Sequence, residues 1–288
     1  MSLFDELVNQ ALLSQAALGT VRSAVEKELL HHDILREMSR AGLLTGLTFI
    51  GGTCLRMCYG SQRLSEDLDF TGGSDFHPDQ LTGLKNTLES TLMEKYGLPV
   101  LVSEPQLESG NVSTWKLRLE TQPSQKQLPT QRIHIDICAL PSRQQHPSLL
   151  RNHYGVDMGS DGLIVQAESR EEILVDKWVA LAMRPNRVQY RDLWDIMYLQ
   201  QRGVELSSTL VGLKLNDRGI TMSAFGGNLQ QRIDELDDDE RHCRQFTQEM
   251  RRFLPVESTA RTFENPNYWS ALICALETGR AALVTEES

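Results

Sequence analysis

Residues 62–70 read Gln-Arg-Leu-Ser-Glu-Asp-Leu-Asp-Phe, and the pair Asp67 and Asp69 within them constrains the chain more than any other feature. The two aspartates alternate with Leu68 and Phe70. Successive side chains of an extended strand point to opposite faces, so both carboxylates project from one face and both apolar residues from the other. Carboxylates held side by side repel and call for a cation. Mg2+ is the usual one where the substrate is a nucleotide phosphate, with Mn2+ as the alternative. Upstream, Phe49-Ile-Gly-Gly-Thr-Cys-Leu-Arg reads as a short strand, a glycine turn and a short helix. The turn at Gly51, Gly52 and Thr53 offers backbone N–H groups at a helix start, a setting suited to an anion. Either half alone is weak, since Gly-Gly before a helix is usually only a turn and Asp-x-Asp usually a solvated strand end. Together, in this order, they predict phosphoryl or nucleotidyl transfer.

Residues 48–70 resemble the AbiEii/AbiGii toxin family of nucleotidyltransferases, within the DNA polymerase β-like superfamily. That family has a Gly-Gly-Thr or Gly-Ser turn followed by an Arg-x-Ser-x-Asp-x-Asp segment. Here these are Gly51, Gly52 and Thr53, then Arg63, Ser65, Asp67 and Asp69, and the resemblance implies that the turn and the Ser65 hydroxyl position the triphosphate. Thr53 stands where the superfamily more often has serine, and it keeps the hydroxyl. The resemblance continues more weakly through a third acidic strand and a Lys/Arg-Asp helical region, and thins after about residue 202.

The third strand is Arg-Ile-His-Ile-Asp-Ile-Cys, residues 132–138. Ile133, Ile135 and Ile137 form its apolar face, with His134 and Asp136 opposite. An aspartate in a buried-looking strand is costly unless it is paired or binds a metal. The resemblance implies that Asp136 completes the metal site. His134 shares that face, either touching the site or serving the structure. Ser169-Arg-Glu-Glu opens a helix with a capping-box pattern. On that helix Lys177 shares a face with Ile173, Leu174, Trp178 and Leu181. It is either a lysine snorkelling at the rim of the core or a cation for nucleotide phosphates, and the resemblance implies the latter. In Arg-Val-Gln-Tyr-Arg-Asp-Leu-Trp-Asp, residues 187–195, Asp192 and Asp195 lie three apart on one helical face. They read as a surface ion-pair set with Arg191; the resemblance implies that Asp192 belongs to the nucleotide site. The roles of Arg56, Arg63 and Asp195 stay open between substrate contact and structural pairing.

Elsewhere the pattern is mostly helical. Apolar spacing predicts helices over residues 3–18 and 21–39, with His31 and His32 on the surface of the second. A helix over 79–96, strands over 99–103 and 114–119, and a Gln-, Ser- and Pro-rich loop over 122–129 follow. Residues 141–166 read as a passage between domains. Further helices are expected over 205–213, 224–236, 239–254 and 266–280. Arg241, Arg244, Arg251 and Arg252 recur near helical spacing and either line an RNA groove or balance the acidic run at 235–240.

The net charge of −10 argues against a generic nucleic-acid coat protein, yet permits an enzyme with a local basic groove or docking with a basic protein. The five scattered cysteines form no Cys-x-x-Cys and suit a reduced, cytoplasmic protein. No apolar run reaches the roughly 18 residues of a membrane helix, and no signal-peptide pattern opens the chain.

The expected fold is α+β or α/β: a mixed sheet with flanking helices over residues 1–165, then a mostly helical domain over 166–288 that closes the active-site cleft. The expected activity is metal-dependent transfer of NMP from an NTP. The resemblance implies the toxin of a toxin–antitoxin or phage-defence system acting on RNA, above all the tRNA 3′ end, with an antitoxin as partner and translation as the casualty. The alternatives are a nucleotidyltransferase modifying a small molecule or protein, and a non-catalytic nucleotide binder on the same fold.

Overall fold

In the computed structural model, described for residues 2–106, 110–121, 130–185, 187–263 and 265–285, the chain divides into two compact units, Met1–Glu168 and Ser169–Ser288. The loop expected over 122–129 lies outside the described residues.

The first unit is built on a seven-stranded sheet. Its strands are β1 (Thr48–Ile50), β2 (Leu68–Thr71), β3 (Val100–Ser103), β4 (Val112–Leu119), β5 (Gln131–Cys138), β6 (Gln145–Leu149) and β7 (Ile164–Glu168), in the spatial order β3-β4-β5-β2-β1-β7-β6. The sheet is mixed: β2 runs parallel to β5 and β1 to β7, while the other pairs are antiparallel. Period-two patterning buries Trp115, Leu117 and Leu119 of β4 and Ile133, Ile135 and Ile137 of β5 on one face. The helices α1 (Leu3–Ser14), α2 (Arg22–Arg40), α3 (Gly51–Met57) and α4 (Leu84–Tyr96) complete the unit.

Three expectations for this unit are corrected. Residues 141–166 are not a passage between domains, because β6 and β7 within them extend the sheet beyond β1. They are five residues each and Pro147 interrupts the pattern of β6, so alternation has little length in which to show. The helix expected over 79–96 is a 3-10 turn, Pro78–Leu81, followed by α4, with Gly83 at φ 100° breaking the run between them.

The larger correction is α2. His31 and His32 are not on its surface; both are buried. Glu26, Glu28, Asp33 and Glu37 are buried with them, so the helix is a polar spine and each of its buried groups has to find a partner. His32 Nδ1 lies 2.8 Å from Ser160 Oγ, and Asp33 meets Arg36 at 2.7 Å, Lys95 at 2.5 Å and the Tyr96 hydroxyl. A surface helix with this charge count would look the same in sequence.

Burial brings the His32 pKa from 6.5 down to about 4. Between those values the unfolded chain binds a proton that the folded chain refuses. The stability is therefore complete above about pH 6.5 and falls as the pH drops towards 4. At about 1.4 kcal/mol per unit the full loss is about 3 kcal/mol. His31, lowered in the same direction by burial, adds to it. Urea midpoints at pH 7 and pH 5 are expected to differ clearly in the intact protein and less in His32→Gln; an equal drop in both would contradict the assignment.

The second unit is helical: α5 (Arg170–Met183), α6 (Tyr190–Gln200), α7 (Ser208–Asp217), α8 (Met222–Asp238), α9 (Glu240–Met250), α10 (Val256–Phe263) and α11 (Tyr268–Thr285). Ser169 caps α5 by accepting from the Glu172 N–H at 3.1 Å, as the capping pattern requires.

Candidate nucleotidyl-transfer site

Three segments meet where β1 ends. Ile50 is extended at φ −129°, ψ 178°, and Gly51 then turns at φ +73° to start α3. β2 lies antiparallel to β1 with Asp69 opposite Ile50, and parallel to β5 with Asp69 opposite Asp136. Neighbours in register project to the same face, so the sheet holds two carboxylates side by side. A Cβ on Gly51 would sit 2.9 Å from Asp69 Oδ2. The turn backbone is thus in contact with one carboxylate of the pair, and glycine is required there for both space and φ.

Asp67 stands just before β2. Its Oδ1 accepts the His134 backbone N–H at 2.9 Å, and the His134 Nδ1 is 3.6 Å away. Asp136 is the strained member. One of its oxygens, Oδ1, is buried without a hydrogen-bond partner among the described residues. Burial, and next the Asp67 charge among the raising causes, push its pKa up against a Thr114 hydrogen bond and the positive influence of His134 and Lys116. An unpaired buried carboxylate oxygen beside a second carboxylate and near a third suits a hard divalent cation, which takes oxygen donors. Among the described residues no group of three or more His, Cys, Asp or Glu side chains is placed to hold a metal ion, so the three carboxylates as they stand do not converge on one point.

The loop bearing Asp67 is tied down from behind. Thr53 Oγ1 lies 2.7 Å from Ser65 Oγ and also bonds the Asp67 carbonyl. Both hydroxyls are buried, so they link α3 to the loop. Arg63 is buried, with Nη1 donating to the Leu64 carbonyl at 2.9 Å. From α2, Lys27 reaches Glu66 at 2.7 Å and His31 Nε2 lies 3.1 Å from the Glu66 carbonyl. Glu28 accepts the Ser65 N–H at 3.0 Å, the Arg56 Nε at 3.0 Å and the Tyr154 hydroxyl. Arg56 is therefore a buried structural partner, its Nη1 also donating to the Ser61 carbonyl at 2.9 Å.

Glu28 is the residue that sequence reading missed. Only its place near Val25 and Leu29 on an amphipathic helix hinted at burial. Burial alone would raise its pKa, but Arg56, the Tyr154 hydroxyl, His31 and the Ser65 N–H hold it below the usual value. Glu28→Gln leaves the Arg56 charge buried without its counter-ion. It is expected to cost about 3 kcal/mol in denaturant unfolding and to loosen the Asp67 loop. A loss under about 0.5 kcal/mol, the range of ordinary surface substitutions, would contradict this role.

In the helical unit, Lys177 Nζ lies 2.7 Å from Asp192 Oδ1 and 3.0 Å from Asp195 Oδ2, and Arg184 reaches Asp192 as well. Asp192 and Asp195 are buried, so the surface ion pair expected with Arg191 is corrected to a buried cluster centred on Lys177. Arg191 also lies 3.7 Å from Glu249. Burial by itself raises the Asp192 pKa, but Lys177 and Arg184 hold it low.

A family model described as the nucleotidyl transferase AbiEii toxin of the type IV toxin–antitoxin system matches residues 33–272. Among solved structures, MenT4, a nucleotidyltransferase toxin from Mycobacterium tuberculosis H37Rv, superposes with a TM-score of 0.53 at 16% identity, over 93% of this chain and 98% of that one. At that identity the likeness is one of fold. JHP933 from Helicobacter pylori aligns with a TM-score of 0.46 at 16% identity, over 92% of this chain and 98% of its own. No curated protein matches the chain.

Proposed function

The chain belongs to the AbiEii family of nucleotidyltransferase toxins of type IV toxin–antitoxin systems, and on that premise we propose that it transfers a nucleoside monophosphate from an NTP to the 3′ end of RNA, tRNA above all, and so blocks translation. The observation that carries the reading is the Asp69–Asp136 register beside the Gly51 turn, with Asp136 Oδ1 buried and unpaired.

Asp67, Asp69 and Asp136 would hold a divalent ion, Mg2+ or Mn2+, which when bound neutralises phosphate charge and makes the acceptor hydroxyl more acidic. The backbone N–H groups of Gly51, Gly52 and Thr53, the first residues of α3, would donate to the triphosphate. Ser65 and Thr53 keep that turn and the Asp67 loop in one arrangement, and Arg63 braces the same loop. Asp136 would also assist removal of the proton of the attacking hydroxyl. The hydroxyl oxygen forms a bond to the α-phosphorus, the bond between the α-phosphorus and the bridging oxygen breaks, and pyrophosphate leaves. Lys177, held within the helical unit by Asp192 and Asp195, is the cation that the family resemblance assigns to the nucleotide phosphates. Most of the rate then comes from positioning and fixed charge. An antitoxin is the expected protein partner. Among the described residues no helix is long and apolar enough to cross a membrane, and the cytoplasm is the proposed place of action.

The net charge of −10 favours, as the second reading, a small-molecule or protein acceptor. RNA 3′ ends sequenced from cells expressing the intact protein or Asp67→Ala separate the two. Added nucleotides on tRNA with the intact protein alone support the proposal. Growth arrest with unaltered RNA ends would move the acceptor to the second class.

A further inference from the structure

The sheet face that carries Asp136 continues away from it as a strip of basic side chains. The register of β4 and β5 sets Thr114 opposite Asp136, Lys116 opposite His134 and Arg118 opposite Arg132. Opposed residues share a face, and so do alternate residues along one strand. Arg132, His134 and Asp136 of β5 therefore lie on one face with Thr114, Lys116 and Arg118 of β4. The residues between them are the buried core positions, whereas Lys116, Arg118 and Arg132 are exposed. The strip extends about 14 Å from Asp136 to Arg132, at about 3.4 Å per residue.

Core packing does not account for it. Arg118 and Arg132 are like charges directly opposite one another, which destabilises a strand pair. Among the described residues none of Lys116, Arg118 and Arg132 has an ion-pair partner. The chain has 39 acidic residues against 29 basic ones, so carboxylates are plentiful elsewhere. Leu101 of β3, opposite Arg118 and 52% exposed, adds an apolar edge.

We infer that Lys116, His134, Arg118 and Arg132 form the track along which the phosphate backbone of the single-stranded end of the acceptor RNA lies. The inference rests on the RNA reading of the site. The strip begins beside the carboxylates, where the terminal hydroxyl must react, so the polymer behind that hydroxyl has to cross the same face. Cations repeated along strands suit a polyanion of regular spacing, and Leu101 offers a flat surface for a base.

The test is a fluorescence-anisotropy titration of the full chain against labelled bulk tRNA over a range of salt, with label transfer measured alongside. In Lys116→Gln/Arg118→Gln/Arg132→Gln the slope of log affinity against log salt is expected to shrink by about 2, at roughly 0.7 per lost phosphate contact on a single strand. The KM for RNA rises at least about tenfold while the KM for NTP is unchanged, as expected when backbone contacts alone are lost. Arg118→Glu is expected to weaken RNA binding yet keep or raise Tm, because it places opposite charges across from each other. A wild-type protein that binds and labels RNA, with an unchanged slope in the triple variant, overturns the track and leaves the RNA reading standing. No salt-dependent RNA binding by the wild type removes the RNA reading and the track with it. Loss of binding to a co-expressed antitoxin with RNA binding intact overturns the track in favour of an acidic protein surface. A Tm of Arg118→Glu that falls in step with RNA affinity overturns it as a structural effect.

Discussion

Replacing Asp136 with asparagine is expected to abolish nucleotidyl transfer and, in metal-free buffer, to make the protein slightly more stable. The two effects share one cause. Asp136 sits in register with Asp69, carries a buried unpaired oxygen, and has its pKa pushed up by burial and by the Asp67 charge. A carboxyl whose folded pKa is raised weakens the fold as the pH climbs through that value, because the folded chain must give up a proton it holds more tightly. Asparagine keeps the shape and removes the charge. Relief of like-charge repulsion between paired strand positions is about 0.5 kcal/mol, or roughly 1–2 °C in Tm for a chain of this size. Catalysis moves the other way: several kcal/mol of transition-state charge stabilisation are lost, a fall of about a thousandfold or more. Calorimetry without metal and initial rates with Mg2+ check both halves. A variant that loses activity and stability together would show that Asp136 serves the fold instead of the reaction.

Gly51→Ala is the second large effect. The residue has φ +73°, a region that costs an L-residue about 1–2 kcal/mol. The new methyl would also stand 2.9 Å from Asp69 Oδ2. Either the start of α3 or the Asp69 carboxylate must move, and a shift of about 1 Å in a positioned group costs about a hundredfold in rate. Gly83→Ala is the matched control. Gly83 has φ +100° with nothing within 4 Å of an added Cβ, so it carries the backbone strain without the collision. Both variants are expected to lose a few degrees of Tm by differential scanning fluorimetry, and only Gly51→Ala is expected to lose activity. Equal turnover in the two would remove the close approach of turn and carboxylate from the account.

What could be read from the chain follows the range of the forces involved. The alternation in residues 132–138 separates Ile133, Ile135 and Ile137 from Asp136, and the buried and half-exposed faces of β5 divide along that line. Alternation is local, so it is visible without knowing the neighbours. The pairing of Asp69 with Asp136 is not, because parallel strands that far apart in sequence are brought together by the whole sheet. The same holds for Glu28, whose partners Arg56, Ser65 and Tyr154 come from three separate segments. The charge count of α2 predicts exposed His31 and His32, because their partners Glu66 and Ser160 lie in distant segments that the helix's own sequence does not show. Lys177 shows the reverse: its place on an apolar helical face was legible, but two buried aspartates at 2.7 and 3.0 Å were needed to show what holds it there.

The central claim is that the carboxylates of this sheet face serve nucleotidyl transfer to RNA. Purified protein incubated with Mg2+, total bacterial RNA and each of the four α-labelled nucleoside triphosphates in turn, beside Asp67→Ala/Asp69→Ala, tests it in one gel. The account predicts label in a tRNA-sized band with the intact protein and none with the variant. No label on RNA with any nucleotide, or equal labelling by both proteins, would contradict it.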